Sequence, residues 1–448
     1  MPKQKTNFIC QECAASYGKW AGKCENCGGW NTLVEQVPQQ SGASAVSRSR
    51  GKSLVPQSMS AIKTDESHNR MSTGIDDLDT VLGGGVLPGG VCLLAGQPGI
   101  GKSTLLLQVV AHIALTKPVL YISGEESASQ VKLRAERLGA NKSSQLDFAA
   151  STSADDIATT IRSGTYALII IDSIQTLSME EVSSAPGSVS QITNSSNVII
   201  QAAKAANAAI MLVGHVTKEG SIAGPKVLEH LVDVVLQFEG DRYGGFKMVR
   251  AAKNRYGSTN ELAIFEMNDK GLELVKNPSL ALLAEREDTD GSVVLATMEG
   301  TRPLLVEIQA LVTQTNFGYP KRTASGFDIN RLNLLIAVLE RRTKLTLGDK
   351  DIYVNVVGGL KLSDAAADLA ICMAVASAAA EKKISDKAVV FGEVGLGGEI
   401  RSAQHSLRRI DEAKKLGFTY AIAPDMHHKS DFIKHARSLR EILITYLR

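Results

Sequence analysis

The sequence predicts an α/β protein: a mostly parallel sheet with helices on both faces, a small cysteine-held module before it, and a second α/β region behind it. Three observations carry this. From Met71 onward, apolar strand-like runs alternate with helical patterns. A G-x4-G-K-S pattern falls between one such strand and one such helix. Two Cys-x2-Cys pairs lie within the first 27 residues.

At 448 residues the chain is too long for one compact domain and divides into two or three. Hydrophobic residues make up 44% and charged residues 21%, the balance of an ordinary globular protein. Net charge is only +2. Residues 1–70 hold nine Lys/Arg against five Asp/Glu, which leaves the remainder at −2. A mildly basic arm on a near-neutral body fits a polyanionic partner and equally fits a solvated tail. Met1–Phe8 has no apolar core of a secretory signal. No run of about 18 apolar residues is present, so no membrane association is expected. Of six Cys, four are paired near the N-terminus, and Cys92 and Cys372 stand in apolar runs. That usage fits a reducing, cytoplasmic compartment and one metal site better than a disulfide framework.

Residues 1–37 form the first element. Cys10 and Cys13 make one knuckle, and Cys24 and Cys27 make the other, ten residues on. Each knuckle offers two thiolates, so together they complete a tetrahedral Zn²⁺ site with no position left for substrate. A module this small has almost no core, and the metal supplies its folding energy. Trp20, Trp30 and Tyr17 are expected to pack over the site; stacking on bases is the other role open to them. Residues 38–70, rich in Ser, Gln and Gly, read as a flexible linker.

Residues 71–276 form the second element. Strands are expected at Val91–Ala95, Val119–Ser123, Ala167–Asp172 and Ile210–Gly214. Helices are expected at Thr104–Leu115, Gln130–Leu138 and Asn194–Asn207, and antiparallel edge strands within Asp241–Phe265. Between the first strand and helix stands Gly96-Gln97-Pro98-Gly99-Ile100-Gly101-Lys102-Ser103-Thr104. Its glycines let backbone N–H groups curl around a β-phosphate, and the helix N-terminus adds its positive end. Lys102 is placed to bridge the β- and γ-phosphates of ATP, Ser103 to hold Mg²⁺, and Thr104 to lie by the α-phosphate. Asp172 ends the apolar strand Tyr166–Asp172 and is placed to hold the Mg²⁺ through water. Glu125, with Glu126 second, ends the strand before it and can orient and polarise the attacking water. The alternative for both is a pair of exposed acids at a helix N-terminus.

Residues 277–448 form the third element, with strands at Val293–Met298 and Leu304–Val312 and a long helix around Asn330–Arg342. Ala365–Ala380 reads as a buried helix despite Asp368.

Several motifs now resemble known families. Thr73-Gly-Ile-Asp-Asp-Leu-Asp79, Leu82-Gly-Gly-Gly85 and Pro88-Gly-Gly90 resemble the entry to RecA- and KaiC-type ATPase cores, in which Glu125 falls at the catalytic glutamate. His215-Val-Thr-Lys-Glu-Gly220, Ala223-Gly-Pro-Lys226 and Lys253-Asn-Arg-Tyr-Gly257 resemble the bacterial RadA (Sms) family, the last with Tyr for Phe. The resemblance covers essentially the whole chain. It implies a DNA repair and recombination ATPase working as a homo-hexameric ring on single-stranded or branched DNA, with a recombinase partner and branch-migration activity. A 5′–3′ helicase polarity rests on the resemblance alone. Lys253 and Arg255 are then expected to reach the nucleotide of a neighbouring subunit; by sequence alone, without the resemblance, they read as ordinary edge-strand residues. In RecA-like rings, loops at 183–188 and 218–226 line the central channel, which makes Lys218 and Lys226 candidate DNA-backbone contacts. His215 is either a γ-phosphate sensor or a core histidine.

The third element resembles the proteolytic domain of Lon. Alignment puts Ala367 at the nucleophilic Ser and Arg408 at the activating Lys. Ala carries no nucleophile and Arg stays protonated, so peptidase activity is not expected. Arg401, Arg408, Arg409, Lys414 and Lys415 are expected to form a basic face. The alternative for the whole chain is a KaiC-like signalling ATPase without DNA translocation.

Overall fold

The computed structural model describes residues 7–10, 15–30, 32–36, 58, 70–140, 143–215, 227–240, 246–315, 318–425, 431–435 and 437–447. Cys13, Lys218, Lys226 and nearly all of the 38–70 segment lie outside the described residues. The chain divides into two compact units. One holds residues 1–239, 249–259 and 268–272; the other holds 240–248, 260–267 and 273–448.

In the first unit the N-terminal module is a three-stranded antiparallel sheet. Asn7–Cys10 lies between Ser16–Tyr17 and Leu33–Gln36. The main sheet places Val91–Gly96 at its centre, with Val234–Gly240 on one side and Ala209–His215 on the other. Leu168–Asp172, Val119–Ser123 and Leu146–Ala150 follow outward, all pairing in parallel. Lys247–Asn254 lies beyond Val234–Gly240. Every residue of Val91–Gly96 and of Val119–Ser123 is buried, as expected for strands covered on both faces. The two faces separate with period two. Val91, Leu93 and Ala95 join the core formed with helices Ala154–Ser163 and Val189–Ala205, while Cys92 and Leu94 turn to the opposite face.

Helix starts are set locally. Ser153 and Ser188 accept from the N–H groups of Asp156 and Gln191. Ser127 and Gln130 form a capping box that opens Ala128–Arg137. Helix Lys102–Ile113 differs: its N-cap is Gly101 at φ 117°, with no side-chain cap.

The second unit is a seven-stranded mixed sheet. Its strand order is Arg322–Ser325, Lys350–Val356, Arg302–Gln314, Ser292–Glu299, Ala388–Val390, Tyr420–Ala423 and Ile433–His435. The helix Ala367–Ala380 is the hub of its core. Residues Ala367–Ala378 are all buried, so the helix is apolar all round rather than amphipathic. Asp368, 1% exposed, is held there by Arg331 and by the N–H of Val394.

Candidate functional site

Parallel strands deliver their carboxyl ends to one edge, where open α/β sheets place their ligands. Gly96 pairs with His215, and Ser123 pairs with Asp172. The loop 97–101 therefore opens beside Glu125, Asp172 and His215. A Cβ at Gly96 would stand 2.6 Å from the carbonyl oxygen of Phe238 on the neighbouring strand, so only glycine fits there. Gly99 and Gly101 take φ of 78° and 117°, which L side chains avoid. Ile100, 1% exposed, anchors the loop from below, while Gln97, Pro98 and Gly99 are exposed. Ser103 and Thr104 sit in the first turn of the uncapped helix. Such a start is a ready anion site.

Lys102 is 5% exposed. Its ammonium donates to the carbonyls of Gly96 (2.9 Å) and Gln97 (3.0 Å) and lies 3.2 Å from Nδ1 of His215. Burial pushes its pKa down to about 8, against the pull of Asp172 and Glu125. A buried ammonium neighboured mainly by neutral dipoles fits an incoming phosphate.

Four of the predicted nucleotide-site residues gain partners that the sequence alone does not disclose. Tyr121 donates from its hydroxyl to Oδ2 of Asp172 at 2.6 Å. Burial and the Asp172 charge raise the Tyr121 pKa well above its usual value, keeping it a donor. Ser173, fully buried, donates to Oε1 of Glu125, and Nε2 of His215 lies 3.4 Å from the same oxygen. His215 thus stands between the Lys102 ammonium, 3.2 Å from its Nδ1, and the Glu125 carboxylate, 3.4 Å from its Nε2. Glu126 is instead ion-paired with Arg134. Of the two acids, Glu125 is the one beside the loop, and its side chain is 43% exposed and open to water.

Lys253 and Arg255 are not brought to this edge. Lys253 donates to the carbonyls of Glu229 (2.6 Å) and Val232 (2.7 Å), and burial lowers its pKa. Arg255 pairs with Asp233 at 3.2 Å with its own side chain 58% exposed. Asp233 also accepts from the N–H of Val91, the first residue of the central strand. Gly96 is the last residue of that strand, so the two ends are about 16 Å apart at ~3.3 Å per residue. Both cations lie at the edge of the sheet opposite the phosphate loop.

In the cysteine module, Cys10, Cys24 and Cys27 converge with their sulfurs within 4.8 Å of one another. Sγ of Cys10 and Sγ of Cys27 are 3.5 Å apart. Four thiolates around Zn²⁺ at about 2.3 Å would stand roughly 3.8 Å apart, so these three fit three corners of a tetrahedron. Tyr17 bonds Sγ of Cys24 at 3.3 Å, which contributes to holding that thiol's pKa down at about 6. Tyr17 packs against the site as expected. The tryptophans do not: Trp20 is 59% and Trp30 71% exposed. Among the described residues the small core is formed by Cys10, Cys24 and Leu33, and neither indole belongs to it.

The second unit corrects one expectation. Arg409 is not part of a basic face; it is 1% exposed and lies over the ring of Phe391. It donates to Asp364 Oδ2 and to the Ala296 carbonyl, both at 2.6 Å. Burial opposes ionisation of Asp364, but Arg409 and two backbone N–H groups hold its carboxyl below the usual range. Arg408 lies exposed and donates to the carbonyl of Thr301, Arg401 pairs with Glu399, and Ala367 is fully buried at the start of its helix. Among the described residues, no helix is long and apolar enough to cross a membrane.

A glycine-lined anion loop, a carboxylate open to water and a second carboxylate held by tyrosine define a P-loop nucleotide-binding unit. Three family models match the chain: residues 58–221 an AAA domain, residues 8–35 a rubredoxin metal-binding domain, and residues 333–427 subunit ChlI of Mg-chelatase. The DNA repair protein RadA of Halalkalibacterium halodurans is 48% identical over 95% of this chain and 93% of its own length. That of Aquifex aeolicus is 47% identical over 95% and 94%, and that of Listeria monocytogenes 49% over 94% and 92%. The chain belongs to the RadA family, with an AAA-type ATPase domain, a zinc-ribbon module and a ChlI/Lon-like C-terminal domain.

Proposed function

We propose that the chain is a DNA-dependent ATPase motor that forms a homo-hexameric ring, binds single-stranded DNA and drives branch migration of recombination intermediates. The observation that carries this reading is the placement of Lys253 and Arg255. Both are tethered to the sheet edge opposite their own phosphate loop. A guanidinium 58% exposed there is available to a nucleotide held by a second copy. Arg suits the task, because its planar fork stays charged and binds phosphate oxygens bidentately. DNA as the substrate is supported by the relatives, which are DNA repair proteins. A 5′–3′ polarity and a recombinase partner follow from the family resemblance.

In this scheme residues 1–37 are the zinc module, 38–70 a linker, 71–276 the motor and 277–448 a ring-forming scaffold without peptidase chemistry. Zn²⁺ would be held by Cys10, Cys13, Cys24 and Cys27. Lys102 exchanges the carbonyls of Gly96 and Gln97 for the β- and γ-phosphates. Loop backbone from Gly96 to Gly101 wraps the β-phosphate, and Thr104 lies by the α-phosphate. Ser103, and Asp172 through water, would hold Mg²⁺, which when bound with ATP neutralises charge on the phosphate oxygens. Glu125 orients the attacking water and takes its proton, while His215 keeps that carboxylate turned toward the loop. The neighbour's Arg255 and Lys253 meet the charge that develops on the transferring phosphoryl group. Lys218 and Lys226 serve the DNA backbone.

Steady-state ATP hydrolysis with and without single-stranded DNA, in wild type and Lys102→Ala, tests the reading. Stimulation by DNA that disappears in the variant is expected. Hydrolysis indifferent to DNA would sink the motor and favour a KaiC-like signalling ATPase.

A further inference from the structure

The two tryptophans of the chain both belong to the cysteine module. Among the described residues the small core there excludes both, being built from Cys10, Cys24 and Leu33 with Phe8, Ala15, Tyr17 and Ala21 around it. Trp30 pairs with Lys23 across an antiparallel bridge, and the Lys23 ammonium sits 5.6 Å from the Trp30 ring centroid. The position of a Cβ at Gly22 lies 3.7 Å from the edge of the Trp20 ring, which places that indole next to the backbone one residue before Lys23. One exposed indole therefore carries the cation, and the other lies close by along the chain.

We propose that Trp20, Lys23 and Trp30 form a stacking platform for the unpaired bases of single-stranded DNA. Indole is the largest aromatic face a side chain offers, and leaving two of them more than half exposed wastes apolar area that folding does not use. Base–aromatic stacking is indifferent to sequence, and the lysine beside Trp30 supplies the phosphate contact. Duplex bases are already stacked on one another, which restricts the platform to single strands. The Gly/Ser-rich loops at 183–188 and 218–226 contain no aromatic residue. The platform adds what they lack. A protein partner would also accept exposed tryptophans, but the ammonium over one ring favours a polyanion.

This inference rests on the single-strand binding proposed above, and its test separates the two. Because the chain has only these two tryptophans, intrinsic emission reports on the module alone. Full-length, zinc-loaded protein is titrated with oligo(dT) and with a duplex of equal length, following tryptophan emission and the anisotropy of labelled oligonucleotide together. Quenching by oligo(dT) but not by duplex is expected. Trp20→Ala/Trp30→Ala should weaken single-strand affinity by about ten-fold or more, while Trp20→Phe/Trp30→Phe keeps most of it. Zinc content equal to wild type certifies that the variant module is folded. Anisotropy that reports single-strand binding without quenching, equal quenching by duplex, or unchanged affinity in the Ala variant overturns the platform and leaves the motor standing. Quenching by a protein of the recombination machinery in place of DNA overturns it in favour of a protein interface. Absence of any DNA binding overturns both.

Discussion

Replacing Tyr121 by Phe removes one oxygen and keeps the ring that lies 6.4 Å from Phe148 in a stacked arrangement. What disappears is a 2.6 Å bond to Asp172, the carboxylate expected to hold Mg²⁺. A hydrogen bond to a charged acceptor contributes about 1.5–3 kcal/mol. Asp172 is only half-buried, so water recovers part of this and about 1–2 kcal/mol is lost. For a domain of this size that lowers Tm by roughly 2–4 °C per kcal/mol. The larger consequence is orientation. Freed from Tyr121, Asp172 loses the donor that keeps one oxygen engaged and the other available. Half-saturation of ATP hydrolysis by Mg²⁺ should rise about 5- to 30-fold, the factor that 1–2 kcal/mol represents, with kcat at saturating metal changed little. Two measurements decide it: Mg²⁺ titration of ATPase rate, and Mn²⁺ affinity in the presence of ADP by electron paramagnetic resonance. An unchanged metal requirement together with an unchanged Tm would show that the tyrosine contributes neither position nor stability.

Mixing Lys102→Ala subunits, which keep Lys253 and Arg255, with Arg255→Ala subunits should restore part of the ATPase activity that neither has alone; no recovery at any ratio refutes action in trans. Lys102→Met should raise the melting temperature of nucleotide-free protein at pH 7, because a charge disfavoured by burial is removed. The native Lys102 binds fewer protons than the unfolded chain between about 8 and 10.5, so wild-type stability recovers as pH climbs through that window and the variant's advantage shrinks there. A lower melting temperature for the variant at pH 7 would contradict this. Asp364→Asn leaves Arg409 buried with its carboxylate gone, and the second unit should lose about 3–5 kcal/mol in denaturant unfolding; a loss under 1 kcal/mol would mean that the carbonyls of Ala296 and of Gln404, which accepts from Arg409 Nε at 3.0 Å, suffice.

The phosphate loop, the strands around it and the cysteine pairs were legible because each is a local pattern: glycines where backbone must turn, apolar runs of strand length, thiols two residues apart. The strand Leu146–Ala150 and the helix Ala154–Ser163 were not. The strand is short and half-exposed, so no apolar run marks it, and the helix carries its apolar face only at Ala154, Ile157, Ala158 and Ile161. Tyr121 is hidden for another reason. It reads as one more apolar strand residue, and only the pairing of Ser123 with Asp172 shows that its hydroxyl reaches the acid. Period two alone offers a hint, since Tyr121 and Ser123 share a face. Arg409 was misplaced because neighbouring arginines on a helix are indistinguishable in composition. One faces solvent and the other faces Asp364, and only the packing decides which. The exposure of the tryptophans runs against their average burial, because the described core of the module is built from cysteines, Leu33 and smaller side chains in their place.

Asp233 gives the central strand a second use. Its carboxylate grips the amino end of that strand through Val91 and the exposed Arg255 at the same time. The carboxyl end of the same strand is Gly96, the first residue of the phosphate loop. A six-residue strand buried along its whole length bends very little, so it behaves as a rod with the phosphate loop at one tip and an arginine at the other. A shift of the loop at Gly96 is therefore felt at the other tip as a shift of Arg255, so that the two ends of the sheet are coupled mechanically through a single strand.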